Sequence, residues 1–77
     1  MIQRVLSLNH PLGLNDVRRV VERIKDIDND EELIIQMNSQ DSYKAEGIFS
    51  VLEKKEYQWA AKGGHDGRDY YIIAKKK

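Results

Sequence analysis

The chain has 77 residues, 34% of them charged, a formal net charge of zero and no cysteine. This length allows a single domain, residues 1–77, with one hydrophobic core. The missing cysteines exclude disulfides, thiolate metal ligands and thiol catalysis. There is no signal-peptide pattern and no apolar run of about 20 residues, so the sequence predicts a cytoplasmic protein that does not enter a membrane.

A strand and an amphipathic helix are predicted at the start of the chain. Residues 2–8 form an aliphatic and β-branched run that is too short for a helix and is typical of a strand. Apolar side chains then recur at helical spacing from Val17 to Ile27, with charged side chains on the opposite side. This pattern predicts a helix that packs one face on the core.

The start of this helix is ambiguous in the sequence. Pro11 suits a first helical turn, where its missing N–H group costs nothing, and Gly13 would then be a loose point inside that turn. Asn15 is equally suited to be the N-cap, with Asp16 favourably placed against the helix dipole. We favour a start near Pro11.

An acidic loop, a strand and a second helix are predicted next. Residues 26–32 include alternate aspartates like those of a calcium loop, but the central glycine and final glutamate of that motif are absent, so a solvated loop is expected. Residues 33–38 predict a strand with Leu33, Ile35 and Met37 on its core face. A second one-sided helix follows, and three residues are candidates for its N-cap: Ser39, Asp41 and Ser42.

A hairpin is predicted at the end of the chain. Residues 57–62 and 69–74 alternate like strands, and Gly63, Gly64 and Gly67 are expected to supply positive φ angles in the reversal between them. No helix follows these glycines, as a phosphate-binding loop requires, and His65 with Asp66 would give a metal only two ligands. Residues 75–77 are expected to be a frayed tail.

The element order is therefore β-α-β-α-β-β. The right-handed crossover rule places both helices on one face of a four-stranded mixed sheet, which gives an α/β (α+β) two-layer sandwich. The other sheet face stays open to solvent unless a partner covers it. Five residues are candidates to line this open face: Val5, Ile34, Ala60, Tyr71 and Ile73.

With this order, the chain resembles the TusA/SirA-like family of small sulfur carriers, which place a Cys-Pro-x-Pro motif at the start of the first helix. The corresponding residues here are His10-Pro11-Leu12-Gly13. The resemblance implies the sandwich fold over nearly the whole chain. Persulfide transfer needs a thiolate, and this chain has no cysteine. The resemblance therefore implies a member of the family without sulfur-carrier chemistry.

The turn that corresponds to this motif is the candidate binding site, formed by His10, Pro11 and Gly13 together with Arg18 of the first helix. An imidazole at a helix N-terminus can contact an anion or, when neutral, accept a proton. Ser7 and Asp16 could complete a Ser-His-Asp set with His10, but their spacing does not demand it. We therefore predict no catalytic residue, no metal and no cofactor.

The predicted function is a non-enzymatic interaction or regulatory module that docks a protein partner, as a monomer or weak dimer. The charge is polarised, since residues 26–56 carry three basic and nine acidic side chains whereas the segments on both sides are basic. The alternative is a small RNA-binding module that uses the open sheet face with arginines and lysines around its rim.

Overall fold

A computed structural model describes residues 2–64 and 67–77 of the chain. The predicted element order and two-layer sandwich are confirmed. In chain order the elements are β1 (Ile2–Ser7), α1 (Leu14–Ile24), β2 (Glu31–Asn38), a 3-10 helix (Ser39–Lys44), α2 (Glu46–Lys54), β3 (Tyr57–Gly63) and β4 (Asp69–Lys76). His65 and Asp66, which would give a metal too few ligands for a site, lie outside the described residues.

The four strands form one mixed sheet in the order β1-β2-β4-β3. β1 runs parallel to β2, and β4 runs antiparallel to both of its neighbours. The register aligns Val5, Ile34, Ile73 and Ala60 in one row across all four strands. This row lies on the face opposite the core, as the alternation of the strands predicts.

The hydrophobic core lies between the other sheet face and the helices. Leu33, Ile35 and Met37 of β2 are buried, which confirms the predicted core face of this strand. Trp59 also turns toward the helices, where its ring stacks on Phe49 of α2 with centroids 4.1 Å apart. Neither described α-helix has the length and apolar composition that crossing a bilayer requires.

The predicted start of the first helix is wrong. α1 begins at Leu14, and its N-cap is Gly13 rather than a residue near Pro11 or Asn15. The reason is that the side chain of Asp16, in the third helical position, accepts a hydrogen bond from the N–H group of Gly13. This bond fixes Gly13 in an extended conformation outside the helix.

Other boundaries also differ from the predictions. β2 begins two residues early, at Glu31, because Glu31 is buried and its register partner is Ile2 of β1. A 3-10 helix precedes α2, so the N-cap of α2 is Ala45 and none of the three candidates, Ser39, Asp41 and Ser42.

Two predictions for the C-terminal hairpin are also wrong. β4 extends through Lys76, which pairs with Tyr57, so only Lys77 remains of the predicted tail. Among the described glycines, Gly67 alone has a positive φ angle. Gly63 and Gly64 therefore do not supply the positive φ angles predicted for the hairpin turn.

Tyr57, the first residue of β3, connects the sheet to the end of the first helix. Its hydroxyl group donates a 2.7 Å hydrogen bond to the carbonyl oxygen of Ile24, the last residue of α1. Burial raises the pKa of the Tyr57 phenol. The bond satisfies one of the terminal carbonyl groups that a helix leaves without an internal partner.

We expect the Tyr57→Phe variant to lower the free energy of unfolding by about 1 kcal/mol, since it removes one buried hydrogen bond. The carbonyl of Ile24 then keeps only the longer bond, 3.4 Å, from the N–H of Ile27. Urea unfolding at neutral pH measures the loss. Tyr43→Phe is the matched control, because the Tyr43 side chain is 76% exposed. Equal stability of the Tyr57 variant and the wild type would contradict the prediction.

Candidate functional site

The turn between β1 and α1, residues 9–13, is held from one side by the buried carboxylate of Asp16. Its Oδ1 accepts a 3.1 Å hydrogen bond from the backbone N–H of Asn9, and its Oδ2 accepts one of 3.0 Å from that of Gly13. Arg19 approaches Oδ1 at 3.5 Å. We call residues 9–13 the corner. Asp16 closes the corner at both ends.

These contacts keep Asp16 ionised. Burial alone raises the pKa of the Asp16 carboxyl, but the N–H groups of Gly13 and Asn9 and the guanidinium of Arg19 outweigh burial. The pKa of Asp16 therefore lies below its ordinary value. The negative charge also fits the first turn of α1, where the helix dipole favours anions.

A second buried carboxylate, Asp41 of the 3-10 helix, holds the middle of the corner. Its Oδ2 lies 2.8 Å from Nδ1 of His10 and accepts a 3.1 Å hydrogen bond from the backbone N–H of Leu12. Lys44 lies 3.9 Å from Oδ1. The hydrogen bond from His10 is the main reason that the pKa of the Asp41 carboxyl lies below its ordinary value, and it outweighs burial.

The pairing with Asp41 defines the chemistry of His10. An ionised carboxylate only accepts hydrogen bonds, so Nδ1 of His10 carries the proton. The side chain of His10 is 46% exposed, and Nε2 makes no hydrogen bond with a described residue. Nε2 therefore faces solvent in a fixed orientation, beside the exposed ring of Pro11, and is a hydrogen-bond acceptor in the neutral form of the imidazole.

The corner does not form the Ser-His-Asp arrangement considered from the sequence. The hydroxyl of Ser7 bonds to Gln36, His10 pairs with Asp41, and Asp16 bonds to the backbone at the two ends of the corner. In residues 2–64 and 67–77, no three His, Asp or Glu side chains come together as a metal site. Among the described residues, the contact that His10 makes is therefore with Asp41, which positions its imidazole.

The start of α1 carries a negative charge. The carboxylate of Asp16 accepts the N–H of Gly13 there. An incoming anion would meet this carboxylate. The imidazole of His10 and the ring of Pro11 are both exposed on the corner.

The four predicted site residues lie in two places. His10, Pro11 and Gly13 belong to the corner, whereas Arg18 lines an open groove of about 500 Å³ beside α1. The sequence interpretation missed the role of Asp41, which is 31 positions from His10 and has no local signal. Asp16, in the third helical position, makes one half of a capping box by accepting the N–H of Gly13, but glycine at the N-cap lacks the side chain that would identify the motif in the sequence.

Comparison of the chain with protein-family models, with curated proteins and with solved structures finds no match. The resemblance to the TusA/SirA-like family therefore stays a prediction from the residues.

Proposed function

We propose that this protein is a non-enzymatic docking module on a TusA/SirA-like scaffold, and that the corner is the surface that contacts a protein partner. One observation carries the proposal. Two buried carboxylates, Asp16 and Asp41, hold an exposed turn in a single geometry. Buried charges are costly, and here their hydrogen bonds are directed to the corner.

A turn held in this way is prepared for binding. A partner that contacts His10 and Pro11 does not have to order the loop first, and this ordering cost is a large part of what weakens the binding of flexible segments. Nε2 of His10 supplies a directed hydrogen-bond acceptor, and Pro11 supplies an apolar contact beside it. Together they suit a protein surface with a donor next to an apolar patch.

The open sheet face supports a second proposal, binding of single-stranded RNA. Tyr71 lies on this face beside Lys62, its register partner on β3. Stacking on aromatic side chains is the usual way in which sheets bind unpaired bases. The support is weaker than for the corner, because Tyr57, Trp59 and Tyr70 all pack against the core instead.

We expect His10→Ala to reduce capture of the partner from a lysate about tenfold, since it removes the imidazole that Asp41 holds at the surface of the corner. The measurement is a cross-linking pull-down followed by mass spectrometry. Ser50→Ala, an exposed position on α2, is the matched control. The thermal unfolding midpoint of each variant shows whether the fold is kept.

Nuclease treatment of the lysate separates the two proposals. Capture that survives nuclease and falls in the His10 variant supports docking at the corner. Capture that disappears with nuclease supports RNA binding instead. Equal capture by the His10 variant and the wild type, with unchanged unfolding midpoints, would remove the corner from the functional account.

A further inference from the structure

We propose that the free edge of β1, together with the groove beside α1, binds an extended acidic peptide as an additional strand of the sheet. This surface is separate from the corner, and the inference does not depend on what the corner binds. It rests on three features: the unpaired edge of β1, the cationic groove next to that edge, and the alternation of side chains along any strand that pairs there.

The backbone of β1 has free hydrogen-bonding groups on its outer side. The N–H groups of Ile2 and Leu8 donate to carbonyl groups of the β2 side, at 3.3 and 2.8 Å. Because alternate residues of a strand point their backbone groups in the same direction, the groups on the odd-numbered residues point away from β2. These residues are Gln3, Val5 and Ser7. In the part of the chain that the structure describes, no strand lies beyond β1.

The edge has few of the features that usually prevent pairing with another strand. β1 contains no proline, and the side chain of its one charged residue, Arg4, pairs with Glu31 of β2. The side chain of Val5, in the middle of the strand, is 56% exposed. Exposed apolar edge strands are templates for β-augmentation, in which a peptide adds to a sheet through main-chain hydrogen bonds.

The groove beside this edge is cationic. Leu6 of β1 lines it together with four basic and two acidic residues of the α1 region. Arg19 pairs with Asp16 and Lys25 with Glu22, but Arg18 and Arg23 make no ion pair with a described residue. The two unpaired guanidinium groups favour carboxylates, for which their planar donors are suited.

The geometry of a strand specifies the chemistry of the peptide. Side chains of a strand beside β1 alternate between the two faces of the sheet, so every second one points toward the groove and the others lie beside Val5. The six residues of β1 offer an edge about 20 Å long. The matching peptide therefore has acidic residues at alternate positions and small apolar or β-branched residues between them.

The test is binding of a fluorescein-labelled octapeptide in which Glu alternates with Thr or Val, measured by fluorescence anisotropy at low salt. We expect saturable binding that weakens as salt is added. A peptide of the same composition with its four Glu residues consecutive is the matched probe, and we expect it to bind about tenfold more weakly because its carboxylates cannot all face the groove. Equal affinity for both peptides would overturn the proposal.

Two variants locate the site. Arg18→Glu with Arg23→Glu should weaken binding of the alternating peptide at least tenfold, whereas Lys54→Glu with Lys55→Glu, the same charge change on exposed residues at the end of α2, should leave it within about twofold. Val5→Pro removes an outward N–H group without removing a bond to β2, and should also weaken binding about tenfold. Circular dichroism verifies that each variant is folded.

Two results would contradict this location. Equal weakening by both charge variants would mean that the peptide responds to net charge and not to the groove. Dimerisation of the wild type in sedimentation experiments without peptide, lost in Val5→Pro, would mean that the occupant of the edge is a second copy of the chain. Either result overturns the assignment of this edge to an acidic peptide.

Discussion

The Asp16→Ala variant is expected to lose about 2 to 4 kcal/mol of the free energy of unfolding. The substitution leaves the backbone N–H groups of Asn9 and Gly13 without their acceptor and removes the capping interaction of α1. A domain of this size is stable by only about 4 to 12 kcal/mol, so the loss is a large fraction of the total. Urea unfolding at neutral pH, followed by circular dichroism, measures it.

Two further variants identify the cause of this loss. Asp16→Asn keeps one acceptor oxygen, so we expect about half of the effect. Glu22→Ala removes an exposed carboxylate from the same helix and should change stability by no more than about 0.5 kcal/mol. If Asp16→Ala and Glu22→Ala were equally stable, Asp16 would not be holding the corner.

Acid is expected to destabilise the protein through three buried carboxylates, Asp16, Glu31 and Asp41. The pKa of each lies below its ordinary value; for Glu31 the main cause is the hydrogen bond from the N–H of Asp28, followed by the one from Arg4. Groups whose pKa falls on folding stabilise the protein fully above their unfolded pKa values. These values are 3.8 for Asp and 4.5 for Glu.

The stabilisation is therefore complete at neutral pH and is lost as the pH falls from about 5 through the lower pKa values of the folded state. Urea midpoints measured between neutral pH and about pH 3 should decrease steeply at the acid end. Asp16→Asn should flatten this decrease, because one of the three groups no longer titrates. Glu53→Gln, an exposed position on α2, should not. A constant midpoint down to pH 3 would contradict the prediction.

Most of the fold could be predicted because it depends on local patterns. The helical spacing of Val20, Ile24 and Ile27 and the alternation of Leu33 and Ile35 each record which face of an element is buried. The right-handed crossover rule then leaves few ways to arrange the elements. The common face of the two helices and the open opposite face of the sheet follow from these two constraints.

The corner could not be predicted as well, because it depends on contacts between distant parts of the chain. Asp41 is one of three candidate helix caps in the sequence, since aspartate is common at caps, but its carboxylate instead accepts a hydrogen bond from the N–H of Leu12 and pairs with His10. Three residues before α2 that favour caps proved to belong to a 3-10 helix. Local propensity cannot distinguish a helix cap from a side chain that bonds to a distant turn, because the choice depends on residues far away in the sequence.

The position of β4 in the sheet has a consequence for the order of folding. Among the described strands, β4 comes last in the sequence but lies between β2 and β3, so its backbone hydrogen bonds connect the first βαβ unit to β3. During synthesis, β1, α1 and β2 can pair as soon as they emerge, whereas β3 has no strand to pair with. The sheet can therefore be completed only after β4 has emerged, because β4 supplies the pairings of both β2 and β3.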